Sequence, residues 1–524
     1  MYKSLYILFI VTILSLTSCR NDFETVPSTG QLEFSKETVY LDTIFTNISS
    51  STYTLKVYNR SNQDITVPVI RLAKPDSKYR IMVDGMTGAD DDNSGLGKGK
   101  VFNNVEILAK DSMYIFIETT VNIDELLPNE FLYTDEIEFD TGVNLQKVNL
   151  VTLVQDAVFL YPEKFEDSSK DSLVLGINDK GEEVRMLGFE LNENDPINGN
   201  ELHFTKQKPY VIYGYAGVPH GKTLQIDPGV RVYFHSESGM VVQPEGTLNI
   251  NGMASPNIDN PTENEVIFEG DRLEPSFSDT PGQWGTIWLR QGSKNNSINH
   301  LTIKNAVVGL LVENCYLNIK NSQIYNSSNI GLLARAAAIN GENLVINEAG
   351  QASFAATVGG SYDFRFCTFN NNWNSPKQFA VLLSNYETNE DESITVGDLV
   401  TANFFNCIIY GSNNVELFLD KYEKTLFNYD FKYNLIKFND VGTTIASNKD
   451  YDFIRNQTDG NIKNKNPNFF DINIDKLNID NTSGAFEKGS SIYLVPTDIN
   501  GNLRTSSPPD IGAYQSAPFP EKVN

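Results

Sequence analysis

Three short runs, Ile303-Lys304-Asn305, Ile324-Tyr325-Asn326 and Val345-Ile346-Asn347, recur at a spacing of 21 residues, and Phe369-Asn370-Asn371 follows 24 residues later. A second column keeps nearly the same period. Gly309-Leu310-Leu311-Val312 returns 22 residues on as Gly331-Leu332-Leu333-Ala334, with Phe379 to Leu383 and Val415 to Leu419 as later members. A repeat of this length, built from short apolar runs without helical periodicity, predicts a solenoid in which each coil packs on its neighbours. The runs lack the L-x-x-L-x-L spacing of leucine-rich repeats. They fit a parallel β-helix, in which inward side chains of one coil stack on those of the next. About one residue in nine is Asn, and Asn305, Asn326 and Asn347 are expected at corners. Asn tolerates the left-handed backbone and its side chain can ladder with the Asn above.

Other parts of the chain carry different patterns. From Gln31 to about Pro162 apolar and polar residues alternate, as in Thr54-Leu55-Lys56-Val57-Tyr58 and Ser112-Met113-Tyr114-Ile115-Phe116-Ile117. Short strands separated by turn clusters predict an antiparallel sandwich over 31–162. No Cys…Trp…Cys pattern accompanies them, so an antibody-type domain is excluded. Residues 163–200 are rich in Asp, Glu, Asn and Gly and read as a linker leading into the solenoid. The solenoid is expected over 201–448, and its exposed last coil calls for a capping region over 449–524.

Acidic residues outnumber basic ones by 67 to 41, a net charge of −26. That argues against nucleic acid, whose binding depends on Lys and Arg neutralising phosphates, and against a polybasic membrane-surface binder. At the N-terminus, Lys3 precedes an apolar stretch from Leu5 to Leu16 that is too short to span about 30 Å of hydrocarbon. The stretch ends in Leu16-Thr17-Ser18-Cys19, which resembles the lipobox of bacterial lipoproteins. That resemblance implies a signal peptide over 1–18, lipid attachment and membrane anchoring at Cys19, and a tether over 19–30. Cys315, Cys367 and Cys407 sit in apolar runs with no zinc-ligand spacing and read as small buried hydrophobes.

The segments "LQIDPGVRVYF", "MVVQPEGTLNINGMASPN", "EVIFEGDR" and "GQWGTIWL" resemble the opening coils of right-handed parallel β-helix proteins of the pectate-lyase-like superfamily. "DINGNLR" and "PDIGAY" resemble the C-terminal signature of many secreted β-helix proteins, where Glu commonly follows; here Gln515 follows. "LKVYNRSNQDITVPVIRL" resembles the opening strands of bacterial immunoglobulin-like domains, and "VDGMTG" with "VFNNVEILAKDSMYIFIE" resembles the N-terminal domain of Bacteroidetes β-helix lipoproteins. Together these imply an all-β chain: an N-terminal immunoglobulin-like β-sandwich, a right-handed parallel β-helix and a C-terminal cap. They imply a lipid-anchored protein of the cell envelope, at the outer membrane.

Activity is not implied by this fold, which serves enzymes and binding proteins alike. A lyase needs clustered carboxylates for Ca²⁺ and an Arg or Lys base; a hydrolase needs close carboxylates. Between Asn314 and Tyr386 the acidic residues are Glu342, Glu348 and Asp363, with no Asp-Asp pair. Asp363 and Arg365 share a strand face as an acid/base candidate, and also read as a simple salt bridge. Trp284, Trp288 and Trp373 are candidate glycan contacts; Trp284 and Trp288, four apart, are expected to share a face. They also read as filling or edge-covering residues. His300 reads as structural. The loop from Asp84 through Asp90-Asp91-Asp92 to Gly95 could bind Ca²⁺ but lacks the EF-hand spacing and closing Glu and reads first as a solvated hairpin tip, so no cofactor is expected. The expected function is non-catalytic presentation of an elongated surface to a polysaccharide or an envelope protein. The alternative is a polysaccharide lyase or glycoside hydrolase.

Overall fold

In the strand Gln146–Gln155, Val148, Leu150 and Val154 are buried while Lys147, Asn149 and Leu153 face outward, the period of two that a half-buried strand requires. A computed structural model describes residues 24–89, 97–126, 131–166, 168–178, 180–257, 260–389, 391–505 and 507–520. The lipobox with Cys19 and the acidic residues Asp90 to Gly95 lie outside these. The chain is all-β, with one four-residue α-helix, Asp452–Arg455, among the described residues. It divides after Asp156 into two compact units.

The first unit holds two sheets. One comprises Val26–Pro27, Thr38–Phe45, Ile65–Leu72, Val101–Ile107, Leu132–Phe139 and Gln146–Gln155; the other comprises Glu33–Phe34, Tyr53–Tyr58, Tyr79–Val83 and Ser112–Thr119. Pairing is mostly antiparallel, although Gln146–Gln155 runs parallel to Thr38–Phe45. Inward residues of both sheets, among them Val67, Phe139 and Leu150 with Leu55, Ile81 and Ile115, form one core.

The second unit begins earlier than the sequence suggests. Val158–Leu160 pairs with Tyr210–Ile212. Residues 163–200, expected as a linker, contain the antiparallel pair Ser172–Ile177 and Glu183–Glu190. Its last residues pair in parallel with Tyr215 to Gly217. The polar residues of this segment lie in its turns, while Phe189 and Leu191 enter the core.

From there the chain threads three columns of parallel strands in turn. Ile303, Ile324, Ile346, Phe369, Ile409 and Ile436 stack in one column. Leu310, Leu332, Phe354, Val381 and Leu417 stack in the second, and Ile250, Ile298 and Ile319 in the third. Each such side chain contributes about 1.5–3 kcal/mol on burial. Asn305 and Asn326 occupy left-handed corners at φ 63° and 54°. Asn347 does not. Ile346, rather than Val345, pairs with Ile324, so the corner moves to Glu348 at φ 51°. Asn347 ladders from within its strand instead, its Oδ1 accepting from Asn370 Nδ2 at 2.7 Å. Asn299, Asn321 and Asn343 form another ladder, each link 2.9 Å.

The tail departs from the expected cap over 449–524. Tyr451 and Ile454 do join Phe438 in the core, and Leu419 N, on the last strand of its column, donates to Tyr451 Oη at 2.8 Å. Residues after Leu477 run instead along the flank of the first column. Leu477, Ile499 and Tyr514 pack on Tyr325 and Val345, while Ile479, Ala485 and Ile511 pack on Ile408 and Leu435. Those outward apolar side chains on the column would otherwise face water, so the tail covers a side as well as an end. Cys367 and Cys407 are buried and Cys315 half-buried, all as free thiols.

Candidate functional site

The third column alternates strictly. Leu317, Ile319, Ile339, Tyr362 and Phe364 point inward. Their neighbours Asn318, Asn340 and Asp363 must therefore point outward, and they stand in register. The row continues through Gln225, Asn249 and Ser297 on one side and Asn403 and Asp430 on the other. Eight consecutive strands thus present one polar row, with neighbouring members roughly 4.8 Å apart. Lys320, Glu342 and Arg365 form a second row beside it. Where the rows meet lies a shallow groove of about 390 Å³, floored by Asn318, Asn340 and Asp363 and flanked by Lys320, Glu342 and Arg365.

Asp363 and Arg365 therefore do meet in a groove, and their chemistry is that of a pair. Arg365 Nε lies 2.8 Å from Asp363 Oδ1, and the bond raises the guanidinium pKa above its ordinary value. A base would need the opposite shift, so Arg365 serves as a fixed positive charge. Lys320 and Glu342 pair at 2.8 Å. Asn340 Nδ2 donates to Tyr316 Oη at 2.8 Å, Asn403 Nδ2 to Asp363 Oδ2 at 3.3 Å, and Asn249 Nδ2 to Gln225 Oε1 at 2.8 Å. The groove is charge-balanced and rich in amides, which offer a donor and an acceptor on one rigid plane.

None of the three tryptophans lines this groove. Trp284 is buried, stacked on Phe234 at 4.3 Å, with its indole N–H bonded to Lys304 O at 2.8 Å. A core ring cannot stack on sugar, so its expected glycan role is overturned. The shared face with Trp288 fails too. Trp284 precedes the strand Ile287–Leu289 and bridges to Ala306. Trp288 stands half-exposed on the second column, donating to Glu313 Oε2 at 3.2 Å. Trp373 is half-exposed in a turn, its N–H bonded to Asn371 Oδ1 at 3.1 Å. His300 is half-buried, its two ring nitrogens enclosed without a partner among the described residues, and burial lowers its pKa. It stays neutral and structural.

Sequence reasoning missed one grouping. Asp475, in the tail, accepts from Asn347 Nδ2 at 2.7 Å. The charges of Asp475 and Asp279 disfavour ionisation of Glu348, and that of Asp279 disfavours ionisation of Asp475. Burial, with these neighbours, pushes Glu348 up to about 7, and burial pushes Asp475 up to about 6. Glu348, half-protonated near neutral pH, beside the more ionised Asp475 is a pairing that general acid–base catalysis can use. The three residues come from a loop, a corner and the tail, and no local motif announces the meeting. Among the described residues, no group of three or more His, Cys, Asp or Glu is arranged to hold a metal ion. Nor is any helix long and apolar enough to cross a membrane.

No family model matches the chain, and no curated protein does. Solved structures similar to it include a family 123 glycoside hydrolase from Clostridium perfringens, at 9% identity and TM-score 0.17, over 24% of this chain and 27% of that one. Others are PapD-like domain 7 of human CEP192, at 12% identity and TM-score 0.15, over 25% and 88%, and the periplasmic chaperone SfaE, at 12% and 0.15, over 24% and 57%. The chain spans about a quarter of that hydrolase's length.

Proposed function

We propose that this is a lipid-anchored cell-envelope protein of the Bacteroidetes type, held at the outer membrane through Cys19. In this reading an immunoglobulin-like sandwich precedes a right-handed parallel β-helix whose third-column face binds a polysaccharide without cleaving it. The in-register polar row from Gln225 to Asp430 carries the reading. A regular ladder of amides suits a regular polymer, and the paired charges of the groove leave little net field, which favours a neutral, hydroxyl-rich chain over a polyanion.

The second reading, a glycoside hydrolase, is favoured by Glu348 and Asp475, whose raised pKa values fit an acid and its partner. One experiment separates the two: binding and turnover on a panel of neutral and uronate-containing polysaccharides. Binding of a neutral polymer is expected, weakened about 3- to 10-fold by Asn340→Ala or Asn403→Ala, each of which removes about one hydrogen-bonding amide. Appearance of reducing ends or unsaturated products would overturn the non-catalytic reading. Loss of that turnover in Glu348→Gln would assign it to the second cluster.

A further inference from the structure

The first unit carries a surface that breaks the alternation rule its own core obeys. In Ser112–Thr119 the inward positions are Met113, Ile115, Ile117 and Thr119. The outward positions ought to be polar, yet they include Tyr114 and Phe116, 47% and 38% exposed. Met82 pairs with Phe116 from the adjacent strand and is 40% exposed. On the other side Lys56 pairs with Tyr114, and Tyr58 follows two residues on, on the same face. Large apolar side chains kept outward on a well-buried sheet mark a contact surface.

The centre of this face has a defined geometry. The Tyr114 and Phe116 rings are neighbours, centroids 6.4 Å apart and planes within 22° of parallel. The Lys56 ammonium sits 5.2 Å from the Tyr114 ring and 5.3 Å from the Tyr58 ring. It rests on these two rings, with no carboxylate within ion-pair distance among the described residues. The face's other cations are spent. Arg60 pairs with Glu33 at 3.0 Å at one end, and Arg80 with Glu118 at 2.8 Å at the other. The result is an aromatic floor closed at both ends by ion pairs, with one uncommitted positive charge over it.

We propose that this face is a carbohydrate site, separate from the groove of the second unit, that takes a glycan bearing carboxylates. Sugar rings stack their C–H faces on Tyr114 and Phe116, and a carboxylate meets the Lys56 ammonium. The local ammonium, and not the chain's overall charge, makes a carboxylate the matching group, so uronate units are preferred over neutral sugars.

Affinity electrophoresis of the full chain in gels containing alginate or polygalacturonate, with dextran as the neutral comparison, tests this. Retardation by a uronate polymer is expected. It should weaken about tenfold in Tyr114→Ala and in Phe116→Ala. Lys56→Gln should weaken it several-fold and flatten its dependence on salt. Asn340→Ala in the groove should leave it unchanged. Tyr114 and Phe116 are exposed and Lys56 is half-buried on the outward face, outside the core, so melting curves matching the parent's are expected and confirm the fold. The proposal falls if no uronate polymer retards the parent. It falls if Tyr114→Ala and Phe116→Ala migrate like the parent, or if Asn340→Ala abolishes the retardation. It also falls if the face binds vesicles of anionic phospholipid and no uronate polymer. None of these outcomes bears on neutral-polymer binding by the groove, so the two sites stand or fall separately.

Discussion

Glu416 is fully buried just before the strand Leu417–Asp420, its Oε1 accepting from Asn413 N at 2.6 Å. Burial pushes its pKa up to about 8 from 4.5. The folded state therefore keeps a proton that the unfolded chain releases, and stability declines as pH rises from about 4.5 through 8. Glu348 adds to the same slope up to about 7. Melting temperature should fall between pH 5 and 9. Glu416→Gln should flatten that fall and gain a few kcal/mol at pH 8, with little change at pH 4.5. Thermal melts across the range decide it, and parallel curves for parent and variant would show that Glu416 does not titrate as argued. Residue-scale reading of the sequence succeeded where the environment is local. Asn305 and Asn326 are corners because a left-handed position favours Asn whatever surrounds it. For Trp284 it left a glycan contact and a filling ring both open, and only the contacts with Phe234 and Ala306 decide for the filling ring.

Among elements, the tail is held by few but buried bonds. Arg504 is 6% exposed. Its Nη2 donates to Asn343 Oδ1 and to Gly512 O, both at 3.0 Å, and its guanidinium lies 4.1 Å over the Phe366 ring. Asp510 ties the same segment by accepting from Glu487 N at 2.7 Å and Ser516 N at 2.8 Å. Arg504→Ala should cost about 2–4 kcal/mol locally, since it strands Asn343 Oδ1 and Gly512 O and leaves a cavity. Limited proteolysis followed by mass spectrometry should then find early cleavage after about Leu477, while the three columns remain resistant. A cleavage pattern like the parent's would mean that the apolar contacts alone hold the tail. The sequence motifs around Asp498 and Asp510 marked this segment as special. That it flanks the first column was not legible, because its apolar residues carry no period matching the strands they cover.

For the whole molecule, the anchor is the sharpest expectation. Cys19→Ser should move the protein from the membrane fraction to the soluble one, and retention would refute acylation as the anchor. Fold class was legible at this scale. The recurrence of short apolar runs reappears as the register of Ile303 on Ile324 and Leu310 on Leu332. The sequence by itself determined that the chain is all-β and that strands about one period apart pair. Those features repeat between neighbours, and a period records them. Only the tertiary structure decided that Asp279 and Asp475 act on Glu348, that Trp284 is buried, and that the tail runs along the first column's flank. Only it placed Lys56 beside both Tyr58 and Tyr114. Each of these is a contact between segments that share no period, set by how the chain closes on itself.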